Sequence, residues 1–304
     1  MKWLRRFLKR AKAAPEPAPP PPPPTPTPAS PPPSPEAPPG GTMPLPPLPA
    51  QPAGAGLRFG WATDPGLVRP HNEDALLILY TAYEGIGERI PLGLFVVADG
   101  MGGHRGGEQA SDLAVREIAR FLSARLLIPH LAGRGPGHPI KELLEEALQA
   151  ANAQILQAVP GGGTTVVCAL VLGESVHLVH VGDSRAYLVW PDHLEQLTED
   201  HSLVQRMISL QGLSEEQAAG IPRNVLYQAL GHTGRLHPSY RRIALPPDAW
   251  LLLCTDGLWG EIPEEQILQT VWGSASPQEA CQRLVRLANE AGGHDNISVI
   301  LVGR

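Results

Sequence analysis

Five acidic side chains in this chain stand at the ends of apolar runs rather than on polar faces. Asp74 precedes "ALLILY" within "RPHNED", Asp99 ends "FVVAD", Asp183 follows "VHLVHVG", Asp256 follows "WLLLCT", and Asp295 precedes "NISVILV". A single acid in such a place is ordinarily a turn former or a helix N-cap. Five change the weighing: if the runs are strands of one core, their ends can converge, and clustered carboxylates repel strongly at neutral pH. Divalent cations are the economical remedy. An all-oxygen donor set suits Mg²⁺ or Mn²⁺, and the lack of HxxxH or CxxC spacing argues against zinc. Glycines after Asp99 and Asp256 would let carbonyls and water approach the ions.

The elements that must position these acids alternate unevenly. "LLILY", "LGLFVVAD", "TTVVCALVL", "VHLVHVG", "RAYLVW", "WLLLCTDG" and "NISVILVG" are aliphatic or β-branched and read as strands. "GEQASDLAVREIARFLSARLL" and "IKELLEEALQAANAQILQAV" repeat apolar residues at three and four positions and read as amphipathic helices. "PEEQILQTVW" and "SPQEACQRLVRLANEAG" add two more, the second with Ser276 as N-cap and Pro277 at the first helical position. Clusters of strands separated by paired helices point to an α+β fold, helices packed outside antiparallel sheets, rather than to βαβ repetition.

Most of the 35 prolines fall in the first fifth of the 304 residues. The chain divides into a basic amphipathic segment (1–14), a proline-rich linker (15–56) and one folded domain (57–304) of roughly 250 residues, ample for a layered core. The linker would form an extended polyproline II spacer, about 3 Å per residue and on the order of 100 Å in all. Six of the 24 basic residues lie in the first twelve positions, which hold no acid, leaving 18 against 30 acids elsewhere. So acidic a domain is a poor partner for nucleic acid.

"MKWLRRFLKRAK" gathers Trp3, Leu4, Phe7, Leu8 and Ala11 on one helical face, with most of the basic side chains opposite. Such a helix suits an anionic membrane surface or an acidic partner; the competing reading is a solvated, frayed tail. No spanning apolar stretch and no secretory signal occurs, and Cys168, Cys254 and Cys281 read as core residues of a reducing compartment. The localisation expected is cytoplasmic, with peripheral attachment at the inner membrane face as the alternative.

In order along the chain, "RPHNED", "VVADGMGG", "GGTTVV", "HVGDSRAYL", "LTEDHS", "CTDGLW" and "GHDNISVI" resemble the motif series of the metal-dependent serine/threonine protein phosphatases of the PPM, or 2C-type, class, most of all its bacterial branch. The resemblance implies a four-layer α-β-β-α sandwich and a binuclear Mg²⁺ or Mn²⁺ centre. It implies that Asp99 bridges two ions, that the Gly100 carbonyl ligates one, and that Asp256 and Asp295 ligate the other. Glu73 and Asp74 would hold waters of the ions, Asp183 a weaker third ion, and Arg69 the phosphate. The activity implied is direct hydrolysis of phosphoserine and phosphothreonine in proteins, opposing bacterial serine/threonine kinases. An arginine suits the phosphate because its planar fork donates two charge-assisted hydrogen bonds.

Where animal members carry a histidine after the Asp-Gly pair, this chain has Met101. The general acid is therefore open between His71, His104 and a metal-held water near Asp183. "GMGGHRGG" fails the GxGxxG register at Arg105, "GGGTT" reads as a turn into a core strand, and Ser184 lacks a GxSxG elbow and reads as support for Asp183 or its turn. Residues from about 201 to 240 match the flap of the bacterial branch and are expected to shape phosphopeptide choice, with Met207, Ile208 and Leu210 as packing face. Two rival readings are a non-catalytic adaptor working through the proline-rich arm and a hydrolase of small phosphoesters.

Overall fold

A computed structural model describes residues 56–81, 92–102, 106–135, 137–211, 225–232 and 236–304. The amphipathic N-terminal segment, most of the proline-rich linker and His104 lie outside them.

Two antiparallel sheets make the centre. The first runs β1 (Arg58–Asp64), β11 (Ile297–Gly303), β10 (Trp250–Cys254), β7 (Arg185–Val189), β8 (Leu194–Gln196). The second runs β2 (Asp74–Thr81), β3 (Leu92–Met101), β5 (Val166–Leu172), β6 (Ser175–Val181), β9 (Ser239–Ala244), with the two-residue β4 (Gly163–Thr164) paired to the end of β3. The period of two assigns each face. Phe95 and Val97 of β3 meet Leu188, Leu251, Leu253 and Ile300 of the other sheet, while Leu94, Val96 and Ala98 face outward.

The outward residues of the second sheet are covered by α1 (Gly106–Leu122) and α3 (Ile140–Ala158) through Ala110, Ala114, Ile118, Leu144, Leu148 and Ile155. On the opposite side Leu252, Cys254, Val299 and Leu301 pack under α6 (Glu264–Trp272) and α7 (Pro277–Ala291) through Ile267, Val271, Cys281 and Leu284. Three apolar layers between four structural layers give the expected α-β-β-α sandwich. Phe95 is fully buried at its middle, and truncation to alanine would cost about 3–5 kcal/mol. α7 starts as expected: Ser276 Oγ accepts from the Glu279 amide at 3.1 Å, and Glu279 Oε2 accepts from the Ala275 amide at 2.9 Å.

Some elements depart from expectation. The helix read through residue 127 stops at Leu122, and a π-helical turn, Ser123–Leu127, leads into the short α2 (Ile128–Leu131). β1 and β9 were invisible as apolar runs because they are edge strands interrupted by polar and charged residues, whereas the edge strand β2 is aliphatic throughout its middle. β1 buries only Gly60, and β9 carries exposed Arg241 and Arg242. β9 returns the chain to the sheet at Ser239, opposite His180. Within the segment expected as the flap, α4 (Leu203–Gln211) half-buries Met207 and Ile208, but Leu210 is 74% exposed rather than packed. α5 (Asp256–Trp259) is a single turn after β10.

Candidate metal and phosphate site

The acids gather where the two sheets end together. Asp74 opens β2 directly opposite Asp99 on β3, which continues two residues further than its apolar run, to Met101. Asp256 opens α5 just after β10, and Asp295 lies two residues before β11. Thr255 ties the sheets together. Its hydroxyl donates to Asp74 Oδ2 at 3.0 Å and accepts from the Ser298 amide at 3.0 Å, while its own amide donates to the Ser298 carbonyl at 3.1 Å.

A second clamp fixes the loop that carries Arg69 and Glu73. Asn296 Nδ2 donates to the Pro65 and His71 carbonyls at 2.8 and 2.9 Å, and its Oδ1 accepts from the Glu73 amide at 2.8 Å. The Leu67 and Val68 amides both donate to the Gly293 carbonyl. Asp99 itself is held by its backbone. Its carbonyl accepts from Thr164 Oγ1 and the Thr165 amide, each at 2.8 Å, and its amide donates to Thr165 Oγ1 at 3.2 Å. Ser184 Oγ, 2.6 Å from Thr165 Oγ1, thus supports the Asp99 side of the site. Thr165, Thr255 and Asn296 were not singled out from sequence; their only signal was adjacency to the acids in "GGTTVV", "CTDG" and "HDNIS".

Burial dominates the electrostatics. It pushes the Asp99 carboxyl well above the usual range, and the charges of Asp74, Asp256 and Asp183 raise it further. Asp74 is raised for the same first reason, opposed by hydrogen bonds from Ser298 and Thr255 and reinforced by Asp256 and Asp295. Burial and then Asp295 raise Asp256, and burial also lifts Glu73. Asp183 is pushed up to about 7 by burial, then by Asp256 and Asp200. These are the marks of carboxylates buried together with too little counter-charge: Arg69 lowers Glu73 and Asp256, and Arg185 lowers Asp183, but burial outweighs them.

Arg69 is the nearby cation, and its Nη2 lies 2.6 Å from Asp295 Oδ2, with half of the arginine side chain exposed. His71 is exposed and lies within electrostatic reach of Glu73. Beneath Asp183, Arg185 forms a two-point pair with Asp200 at 2.9 and 2.7 Å and lies 3.6 Å over the Trp259 ring. Trp259 Nε1 in turn donates to the Asp183 carbonyl at 3.2 Å. Asp183 is therefore seated on a fixed turn, within electrostatic reach of Asp256 and Asp99.

The donor set fits Mg²⁺ or Mn²⁺. Asp74 Oδ1 and Asp256 Oδ1 are sealed from solvent without a hydrogen-bond partner, an arrangement that a cation relieves. Gly100 is packed so that a Cβ would run into the Gly107 and Glu73 carbonyls, and one at Gly257 into the Asn296 carbonyl. Backbone thus closes around the acids as only glycine permits. Among the described residues no group of three or more His, Cys, Asp or Glu side chains is arranged as a ready metal site. Mg²⁺ requires no such arrangement, since it keeps several waters and takes one or two carboxylates.

The model of the protein phosphatase 2C family matches residues 86–289, and the chain belongs to that family. A serine/threonine phosphatase from Listeria innocua is 35% identical over 250 residues, spanning 80% of this chain and 94% of its own. The crystal structure of a serine/threonine phosphatase from Staphylococcus aureus superposes with a TM-score of 0.70 at 30% identity, covering 84% of this chain and 99% of that one. The catalytic domain of the serine/threonine protein phosphatase PstP, solved with two manganese ions, superposes at 0.64 and 32% identity over 81% of this chain and 97% of its own.

Proposed function

We propose that this chain hydrolyses phosphoserine and phosphothreonine in proteins with Mn²⁺ or Mg²⁺ as cofactor, and that it opposes serine/threonine kinases. The carrying observation is the convergence of Asp74, Asp99 and Asp256 as buried carboxyls raised above their usual range, two of them with a partnerless oxygen, beside the half-exposed Arg69. Family membership and the manganese-bound relative support the same chemistry.

Asp99, the Gly100 carbonyl, Asp256 and Asp295 would hold two ions, Glu73 and Asp74 would orient their waters, and Asp183 would help hold a weaker third. When bound, such ions supply an acidified water and offset phosphoryl charge. Arg69 turns its fork from Asp295 to the phosphoryl oxygens, fixing the group in line for attack. Of the candidates for the general acid, His71 and a metal-held water near Asp183 fall among the described residues, and in this reading His71 protonates the leaving seryl or threonyl oxygen.

Residues 1–12 and the proline-rich arm tether the domain to an anionic membrane surface or an acidic partner. Among the described residues no helix is long and apolar enough to cross a membrane.

The test is phosphate release from a phosphothreonine peptide and from a nucleotide, in Mn²⁺ and in EDTA. Metal-dependent release from the peptide, well above that from the nucleotide, is expected. Equal turnover of both would favour a small-phosphoester hydrolase, and none of either would favour an adaptor.

A further inference from the structure

Asp183 and Asp256 stand just beyond the last rung of one strand ladder. β7 begins at Arg185 and β10 ends at Cys254, and these two residues are paired across the sheet. The strands are antiparallel, so Asp183, two residues before the rung, and Asp256, two residues after it, lie past the same end. Among the described residues no backbone hydrogen bond joins the two turns beyond that rung. Burial first, and then the charge of Asp256, raise the Asp183 carboxyl, so the two acids repel whenever both are ionised. Their separation has to be fixed by side chains.

Trp259 supplies the link. It ends α5, the single turn that Asp256 opens, and its Nε1 donates to the Asp183 carbonyl at 3.2 Å. The ring is itself anchored. The Arg185 guanidinium lies 3.6 Å from the ring centroid while bonded to Asp200 at two points and to the Tyr187 hydroxyl at 2.9 Å. Both partners of that ion pair are largely buried, where salt screens little.

The other side of the Asp183 turn is pinned separately. The Gly182 amide donates to His201 Nδ1 at 3.2 Å, its carbonyl accepts from the His201 amide at 2.9 Å, and Ser184 Oγ lies 2.6 Å from Thr165 Oγ1. A Cβ at Gly182 would run into Thr165, so the turn is already pressed against its neighbour there. Among the described residues, the hydrogen bond from Trp259 is the one that reaches the turn from α5.

We infer that Trp259 is a positioning residue: its indole N–H sets the separation of Asp183 from Asp256, and with it the affinity of the ion that Asp183 helps to hold. The inference rests on the proposed metal centre. Trp259 acts through the Asp183 backbone, so its loss reaches the weakest ion and spares the two held by Asp99, Asp256 and Asp295.

The experiment titrates Mn²⁺ into the metal-free full-length chain by calorimetry, with the metal-free thermal midpoint of each protein measured alongside. Wild type is compared with Trp259→Phe, which keeps a ring for Arg185 but no N–H. A second replacement puts 3-benzothienylalanine at position 259, keeping the bicyclic shape and exchanging only the N–H for sulfur. Expected is a weakest Mn²⁺ site whose Kd rises about tenfold or more in both variants, as loss of a group that orients a metal ligand does. The tighter sites should stay within twofold, and the midpoint of the sulfur isostere should match wild type. In an Asp183→Asn background neither replacement should change Mn²⁺ binding further. An isostere that binds Mn²⁺ as wild type does, an equal weakening of every site, a loss that persists in Asp183→Asn, or a wild type with no weaker site would overturn the role. The titration uses no substrate, so it decides the role of Trp259 even in an enzyme inactive on phosphothreonine peptides, a result that would instead overturn the phosphatase reading.

Discussion

Arg69 Nη2 lies 2.6 Å from Asp295 Oδ2, so the cation proposed to bind phosphate rests on a carboxylate proposed to bind metal. The pair is half exposed on the arginine side, and such pairs contribute only about 0–1 kcal/mol. Turning Arg69 from Asp295 to a phosphoryl group therefore costs little. Arg69→Ala is expected to lower kcat/KM for a phosphothreonine peptide about 10²-fold or more, as loss of a charge-stabilising donor does. Arg69→Lys should recover only a small part, because a point charge replaces a two-point fork. Steady-state kinetics of the three proteins decide it; an alanine variant within twofold of wild type would remove Arg69 from phosphate binding.

His201 should impose a pH dependence on stability. Its Nδ1 accepts from the Gly182 amide at 3.2 Å, its Nε2 faces Ser239 Oγ at 2.9 Å, and its ring stacks on His180 at 4.7 Å. Burial, and then the charge of His180, lower its pKa to about 4. The unfolded chain takes up a proton near pH 6.5 that the native state refuses, so this contribution is full above about 6.5 and is lost as pH falls toward 4. Asp183, raised to about 7, imposes the opposite slope and is common to wild type and a His201→Asn variant. Denaturant titrations in EDTA between pH 7.5 and 4.5 should show wild type losing on the order of 2 kcal/mol relative to the variant. Parallel curves would refute a neutral buried His201.

If His71 supplies the leaving-group proton, its loss should depend on the leaving group. A threonyl alkoxide needs that proton, whereas p-nitrophenolate leaves without one. His71→Asn should therefore cut kcat on a phosphothreonine peptide by about 10²-fold or more while leaving p-nitrophenyl phosphate hydrolysis near wild type. Equal effects on both substrates would exclude the role.

The charge asymmetry makes the N-terminus testable apart from catalysis. Full-length protein should sediment with liposomes rich in anionic lipid and be released by salt, since charge attraction to the surface is screened. A chain lacking residues 1–12 should stay in the supernatant with its phosphatase activity intact. Equal sedimentation of the two forms would refute membrane attachment through this segment.

The sandwich was legible because its inner strands are apolar on both faces. β3, β5, β6, β10 and β11 each bury nearly every side chain and so read as uninterrupted aliphatic runs. β1 and β9 escaped because an edge strand with a polar face has no such run. The acids were legible as charges that interrupt those runs. What holds them was not: Thr165, Thr255 and Asn296 act through hydrogen bonds to residues far away in sequence. The pairing of Arg185 with Asp200 under Trp259 joins three motifs whose proximity only the folded chain reveals.

The most direct test is phosphate release from a phosphothreonine peptide in Mn²⁺ by wild type and Asp256→Asn, with the metal-free thermal midpoint of each measured alongside. Asp256 is a buried acid among other raised carboxyls. Its neutral replacement should therefore leave the metal-free fold as stable as wild type or more so, while activity falls at least 10²-fold. A folded variant that retains wild-type activity would contradict a metal-dependent phosphatase centre at the meeting of the two sheets.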